Sequence, residues 1–283
     1  MTRFTPTPHL DTLIDLALSE DIGCGDATVD ALIPMGTTAQ MTLVAREQLI
    51  LCGRPIVDRV IERYRPLSLR FDWDRHDGEL IAAGDTLCRV SGLLSEMLTL
   101  ERTVLNFLQR MSGVATLTRR YVDAISGTEA RLVDTRKTLP GYRALDKYAT
   151  RVGGAKNHRA SLDGGILIKD NHLTAAGGVE EAIRKARAAA SHALTIEVEV
   201  ETMDDFRRAV RAGADVIMLD NFTPEEIRQA AAIDRGGARL EASGGISLDS
   251  IRTFAESGVD LIAVGALTHS APAVDIAAEI VDA

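Results

Sequence analysis

At 283 residues, 46% apolar and 26% charged, the chain has ordinary globular composition and enough length for one large or two medium domains. Its formal net charge of −9 and its 4% of aromatic residues argue against a basic or base-stacking nucleic-acid surface. No stretch of about 18 apolar residues suits a membrane span. The first residues lack the apolar run of a secretory signal, and three scattered cysteines (Cys24, Cys52, Cys88) fit reduced thiols in a cytoplasm.

In chain order, His9 to Glu20 places Leu10, Leu13, Ile14, Leu16, Ala17 and Leu18 at helical spacing, and Gly23 and Gly25 end the helix. Residues 39–53 read as short strands, Pro55 to Tyr64 as a helix, and residues 67–91 as strands with turns at Asp77-Gly78 and Gly84-Asp85. Together they predict a small α+β domain. Residues 95–125 predict a long helical run, interrupted near Gly113. Glu101 and Arg102 break its apolar side, and Arg102 alone reads as a solvated helix charge.

From residue 130 short apolar runs alternate with helical segments. The predicted strands are Ala130–Val133, Gly165–Ile168, Leu194–Val200, Asp215–Leu219, Arg239–Ala242 and Leu261–Val264. Between them, Thr202 opens one helix and Thr223-Pro224-Glu225-Glu226 forms a capping box for another. The alternation predicts parallel βα units. Six units fall short of the eight of a closed barrel, so an open or incomplete α/β barrel is expected.

The residues directly after each strand carry the chemistry. The strand ends hold Asp134-Thr135-Arg136-Lys137, Lys169-Asp170-Asn171-His172, Glu199 with Glu201, Asp220-Asn221, Ser243-Gly244-Gly245 and Gly265-Ala266. Carboxyl ends of barrel strands converge on one face, and that face is where barrels work. Residues 131–172 add a basic island of nine Lys/Arg against four acids, suited to a small anion. His158, Arg159 and Lys169 read as surface charges singly and as an anion clamp once clustered with Arg136 and Lys137. The turns Ser243-Gly244-Gly245-Ile246 and Val264-Gly265-Ala266-Leu267 can present backbone N–H groups to a phosphate. Glu197, Glu199 and Glu201 share one strand face; they form either a solvated edge or an inward acid row that needs cations. Glu199 with Asp220 can share Mg²⁺ or the hydroxyls of a ribose. No His/Cys spacing supports zinc.

The segment DTRKTLPGYRALDKYATRVGGAKNHRASLDGGILIKDNH closely resembles the signature region of the quinolinate phosphoribosyltransferase family. Further blocks match in order: EDIGCGDAT, ERTVLNFLQRMSGVAT, IEVEVET, VIMLDNF, LEASGGI and VGALTHSAP. Ala155 after Gly153-Gly154, and the pair Gly164-Gly165, depart from the common pattern without touching a charged position. The resemblance implies an N-terminal α/β sandwich (1–112), an open α/β barrel of the type II phosphoribosyltransferase kind (113–268) and a tail (269–283) returning to the first domain. It implies a cytoplasmic homodimer and the reaction of quinolinate with 5-phosphoribosyl 1-pyrophosphate. The products are nicotinate mononucleotide, pyrophosphate and CO₂, within NAD biosynthesis, with Mg²⁺ and no organic cofactor. Arg102, donated by the partner subunit, would hold quinolinate with Thr135, Arg136, His158, Arg159 and Lys169. Lys137, Glu199, Asp220, Ser243, Gly244, Gly245, Val264, Gly265, Ala266 and His269 would hold the phosphoribosyl group. Lys137, Lys169, Glu199 and Asp220 would be catalytic, with Glu199 and Asp220 as metal ligands. Three alternatives stand beside this: a molybdenum-uptake-associated homologue of the same fold, a Schiff-base aldolase using Lys169, and a non-catalytic binder of phosphorylated metabolites.

Overall fold

The structure, a computed structural model, describes residues 4, 5 and 7–282. The chain begins α1 (Pro8–Ile22), α2 (Ala27–Leu32), β1 (Thr38–Ala45), β2 (Leu49–Ile50), α3 (Arg54–Tyr64), β3 (Arg70–Trp73), β4 (Leu80–Ile81), β5 (Thr86–Leu93) and α4 (Leu94–Ala124). It continues β6 (Arg131–Val133), α5 (Arg143–Gly153), β7 (Ile166–Ile168), α6 (Asp170–Ala176), α7 (Val179–Ala189), β8 (Ile196–Val200), α8 (Met203–Ala212) and β9 (Val216–Asp220). It ends α9 (Pro224–Ala231), β10 (Arg239–Ser243), α10 (Ile251–Ala255), β11 (Leu261–Ala263), α11 (Ala266–His269) and β12 (Ile276–Asp282). No described helix is long and apolar enough to cross a membrane. By internal contacts the chain forms two units. One comprises residues up to Arg119, Leu139–Gly154 and Ser270 onward; the other comprises Arg120–Thr138 and Ala155–His269.

The first unit is built on a four-stranded sheet in the order β12-β1-β5-β3, with β2 and β4 paired separately. The last strand, β12, lies antiparallel beside β1, with Leu43 opposite Ala278. One core joins Leu10 and Ile14 of α1, Leu43 and Leu87 of the sheet, Ile56 and Val60 of α3, and Leu100, Leu108 and Met111 of α4. Helix α5 contributes Leu145, Tyr148 and Ala149 to that core. Residues 139–154 therefore group with the first unit, although they fall inside the stretch 113–268 expected for the barrel.

The sequence expectation that α4 breaks near Gly113 is overturned: the helix runs unbroken for 31 residues. A helical glycine costs only about 1 kcal/mol relative to alanine. Its reason here is space, because a Cβ on Gly113 would stand 2.0 Å from the Pro272 carbonyl oxygen. The glycine lets the segment before β12 pass against the helix, where Gln109 O accepts the Val274 N–H at 3.1 Å.

The second unit is a six-stranded, wholly parallel sheet in the order β6-β11-β10-β9-β8-β7. These are the six strands read from the sequence, with ends differing by one or two residues. The edge strands β6 and β7 are not paired with each other, which leaves the barrel open; Val133 instead bridges Lys156. Along β8, Ile196, Val198 and Val200 are fully buried while Glu197 and Glu199 take the alternate face, as period-two geometry requires. Thr202 caps α8 by accepting the Asp205 N–H, and Thr223 with Glu226 forms the expected capping box of α9 behind Pro224.

Gly113→Ala is expected to destabilise the protein by about 1–3 kcal/mol, the usual range for overpacking a filled site. Urea unfolding measures it, and an unchanged midpoint would show that the Pro272 segment can move aside freely.

Candidate functional site

The strand ends of the second unit form a rim of opposed charge. Lys169, directly after β7, forms an ion pair with Glu199 on the neighbouring β8. The Lys169 side chain is 46% exposed and that of Glu199 13%, so the pair lies between water and the barrel interior. Asp220 ends β9. Burial, and then the like charge of Glu199, holds its carboxyl above the usual carboxylate range; Lys169 and Lys137 act in the opposite sense. Five charged groups thus meet here, since Glu201 also acts on Asp220. An ammonium engaged by Glu199 is a poor amine nucleophile, which counts against the Schiff-base alternative.

Backbone turns complete the rim. Asn221, at φ +57°, donates its side-chain amide to Asp220 at 2.7 Å and its N–H to Ser243 O at 3.0 Å. A Cβ on Gly244 would stand 2.2 Å from the Asn221 side-chain oxygen, so only glycine lets these two strand ends close. Gly265 opens α11, and a Cβ there would touch both the Lys137 stem at 3.1 Å and the His269 ring at 3.2 Å. Lys137 is held by its N–H on Thr135 Oγ1 at 3.0 Å and its carbonyl on the Thr268 hydroxyl at 2.8 Å. The helix α6 that comes after Lys169 is capped by His172, whose Nδ1 accepts the Lys169 N–H. Lys137, Lys169, Glu199, Asp220, Ser243, Gly244, Gly265 and His269 therefore come from six strand ends to the same face.

His158 and Arg159 lie one level deeper. They line a cavity of about 620 Å³ bounded by the starts of the strands, including Arg131, Glu197, Arg239 and Glu241. His158 Nε2 is 3.0 Å from Glu197 Oε2 and 3.9 Å from Glu241 Oε1. Arg159 donates to Gly165 O at 2.8 Å. Burial and the neighbouring Arg136 lower its proton affinity below that of an ordinary guanidinium. Glu241 is 1% exposed, and burial next to Glu197 pushes its carboxyl well above the usual range. The sequence placed His158 and Arg159 beside Lys169. The structure sets the His158 ring on Glu197, two residues before the Glu199 that holds Lys169, and the Arg159 guanidinium on the Gly165 carbonyl. Arg102 belongs to the first unit, where it is exposed on α4 beside Asp21, Gly25, Asp26 and Thr99.

Residues 26–112 match the profile of the quinolinate phosphoribosyl transferase N-terminal domain, and residues 114–279 that of its C-terminal domain. The chain belongs to the quinolinate phosphoribosyltransferase family. It is 42% identical over 267 residues to the nicotinate-nucleotide pyrophosphorylase (carboxylating) of Mycobacterium leprae, covering 92% of this chain and 93% of the relative. Among solved structures it resembles the nicotinate-nucleotide pyrophosphorylase of Francisella tularensis (TM-score 0.93, 39% identity, 98% of this chain and 97% of that one). It also resembles NadC of Streptococcus pyogenes (TM-score 0.94, 37% identity, 99% and 100%).

In this member of the phosphoribosyltransferase family, the sequence reading named Asp134 at a strand end and Asn157 within the family segment without giving either a role, and it missed Glu241. Asp134 is fully buried and accepts the His158 N–H at 2.8 Å and the Asn157 side-chain amide at 2.6 Å. Glu241 had a legible signal, since it is a charge inside the short apolar run Leu240-Glu241-Ala242 and so points opposite to its neighbours.

The raised Glu241 value gives a pH test. A folded-state value above the ordinary 4.5 means the native state holds this proton more tightly than the unfolded chain. Between the two values the native state binds more protons, so stability falls as pH rises, by at most about 1.4 kcal/mol per unit from one group. Glu241→Gln is expected to flatten the fall in stability seen in urea titrations as pH rises above about 4.5. A variant with the parental slope would contradict it.

Proposed function

We propose that the chain is a decarboxylating quinolinate phosphoribosyltransferase acting in NAD biosynthesis. The observation that carries this is the rim of Lys137, Lys169, Glu199 and Asp220 at strand ends, in a chain that matches both domains of the family. Cations suit a dicarboxylate, while the small-residue turns suit a phosphate.

Those groups supply the chemistry. Arg136 and Lys169 draw in the quinolinate carboxylates, with Arg159 and His158 beneath. The pyridine nitrogen attacks C1 of the phosphoribosyl group as its bond to pyrophosphate breaks. Positive charge grows on the ribose in that transition state, and Glu199 and Asp220 face it with preorganised negative charge. The ring becomes a pyridinium. The bond from C2 to its carboxylate then breaks, CO₂ leaves, the electron pair stays on C2 as an in-plane ylide beside the positive ring nitrogen, and C2 takes a proton. The adjacent pyridinium charge stabilises that pair, so no organic cofactor is required. Glu199 and Asp220 form an oxygen-donor set whose mutual repulsion a cation relieves, so these residues fit Mg²⁺, whose charge offsets that of the departing pyrophosphate.

Incubating the protein with quinolinate, phosphoribosyl pyrophosphate and Mg²⁺ should yield nicotinate mononucleotide; binding of phosphoribosyl pyrophosphate without product would point instead to a storage or carrier role. Arg136→Ala and Lys169→Ala should each remain folded and lose about 2–5 kcal/mol of substrate binding, roughly 30- to 5,000-fold in kcat/KM.

The active form proposed is a cytoplasmic homodimer in which Arg102 serves the neighbouring site. Supporting it are the family resemblance, the exposed Arg102 beside the EDIGCGD segment, and cysteines that are all unpaired, with Cys52 and Cys88 buried. Arg102→Ala and Lys169→Ala subunits, each inactive alone, should regain about a quarter of native activity after random mixing, because half the dimers carry one intact site. A mixture as inactive as its parents contradicts the donation.

A further inference from the structure

We propose that Glu197 is a positioning residue for the anion clamp: it fixes the His158 ring and, through it, the corner Asn157-His158-Arg159. The inference rests on the reading that this corner meets the pyridine dicarboxylate.

Each end of the imidazole has a near neighbour that bears on its state, with Glu241 Oε1 farther off at 3.9 Å from Nε2. Nδ1 accepts the Arg159 backbone N–H at 2.8 Å, so Nδ1 carries no proton. A neutral imidazole then keeps its proton on Nε2, which donates to Glu197 Oε2 at 3.0 Å. The backbone of the corner is held separately. Asp134, after β6, takes the His158 N–H, and the Gly165 carbonyl, before β7, takes the Arg159 guanidinium. The corner thus spans the open seam between the two edge strands, and Glu197 reaches it from β8. Removing the Glu197 carboxylate leaves the backbone anchors in place and takes from the ring its 3.0 Å partner at Nε2.

A divalent metal is the competing use of this cluster. His158, Glu197 and Glu241 offer ligand atoms within 4.8 Å of one another, and Glu197 Oε1 and Glu241 Oε1 are buried with no hydrogen-bond partner among the described residues. The ring opposes it. Metal ligation needs a bare lone pair on Nε2 and hence a proton on Nδ1, which would then face the Arg159 N–H. The same two orphan oxygens explain why glutamine should replace Glu197 well. Its carbonyl keeps the bond from Nε2–H, and its amide adds a donor where Glu241 needs one.

The test compares Glu197→Ala with Glu197→Gln. Alanine is expected to raise the quinolinate KM about tenfold, with the phosphoribosyl pyrophosphate KM and the thermal midpoint near native; glutamine should restore the quinolinate KM. Nitrogen NMR of the ring, assigned with His158→Asn, should show the Nε2–H tautomer in the native protein and in the glutamine variant, and a mixture in the alanine variant. Unchanged ring shifts in the alanine variant overturn the proposal, as does an equal rise in both KM values with a fallen midpoint. So does Zn²⁺ or Mn²⁺ binding that both Glu197→Ala and Glu241→Gln abolish. If the native protein does not turn over quinolinate, the functional reading fails, while the ring shifts still decide the role of Glu197.

Discussion

The ion pair between Lys169 and Glu199 is the interaction on which the site depends. A carboxylate on the inner face of a barrel strand is costly unless a cation meets it. Glu199 has that cation one strand away, and the register of β7 on β8 puts it there, with Ile168 beside Val198. The pair leaves Lys169 partly exposed and its charge only partly spent. The rim can therefore hold carboxylates for a developing cation and cations for an incoming anion without either sign prevailing.

The interior of the barrel repeats this logic one level down. Barrels usually fill their interiors with layers of branched aliphatic side chains. Here Glu197 and Glu241 occupy inward positions level with Val216 and Met218 of β9, and His158 spans between them. Such a buried polar layer costs less the more of its members are satisfied. Asp134, His158 and Arg159 make hydrogen bonds within it, Glu197 Oε1 and Glu241 Oε1 have none among the described residues, and burial beside Glu197 pushes the Glu241 carboxyl well above the usual range. The open seam between β6 and β7 admits this chemistry, because the residues 155–165 that fill it are loop rather than strand.

Much of this was legible in the sequence. All six strands of the barrel were visible because short β-rich runs alternate with helical segments and end in polar or glycine-rich turns, and period two put Glu197 and Glu199 on one face while leaving open whether that face was inward. The depth of His158 and Arg159 was not visible. Adjacency in sequence put them with the basic island, whereas their level is set by the Glu197 that His158 reaches on β8 and the Gly165 carbonyl that Arg159 reaches before β7. The membership of α5 was hidden for a similar reason, since its apolar face fits either unit and only packing chooses. Gly113 misled because a glycine needed for close approach reads the same as one that ends a helix.

The most direct test of the account is a double-mutant cycle on Lys169 and Glu199 read by quinolinate affinity. Lys169→Ala alone leaves a nearly buried carboxylate, close to Asp220, facing the substrate dianion. The account predicts that adding Glu199→Ala to it recovers part of the lost affinity, a coupling of about 0.5–3 kcal/mol. Strictly additive losses would contradict it, for they would mean that the two charges act on the substrate independently.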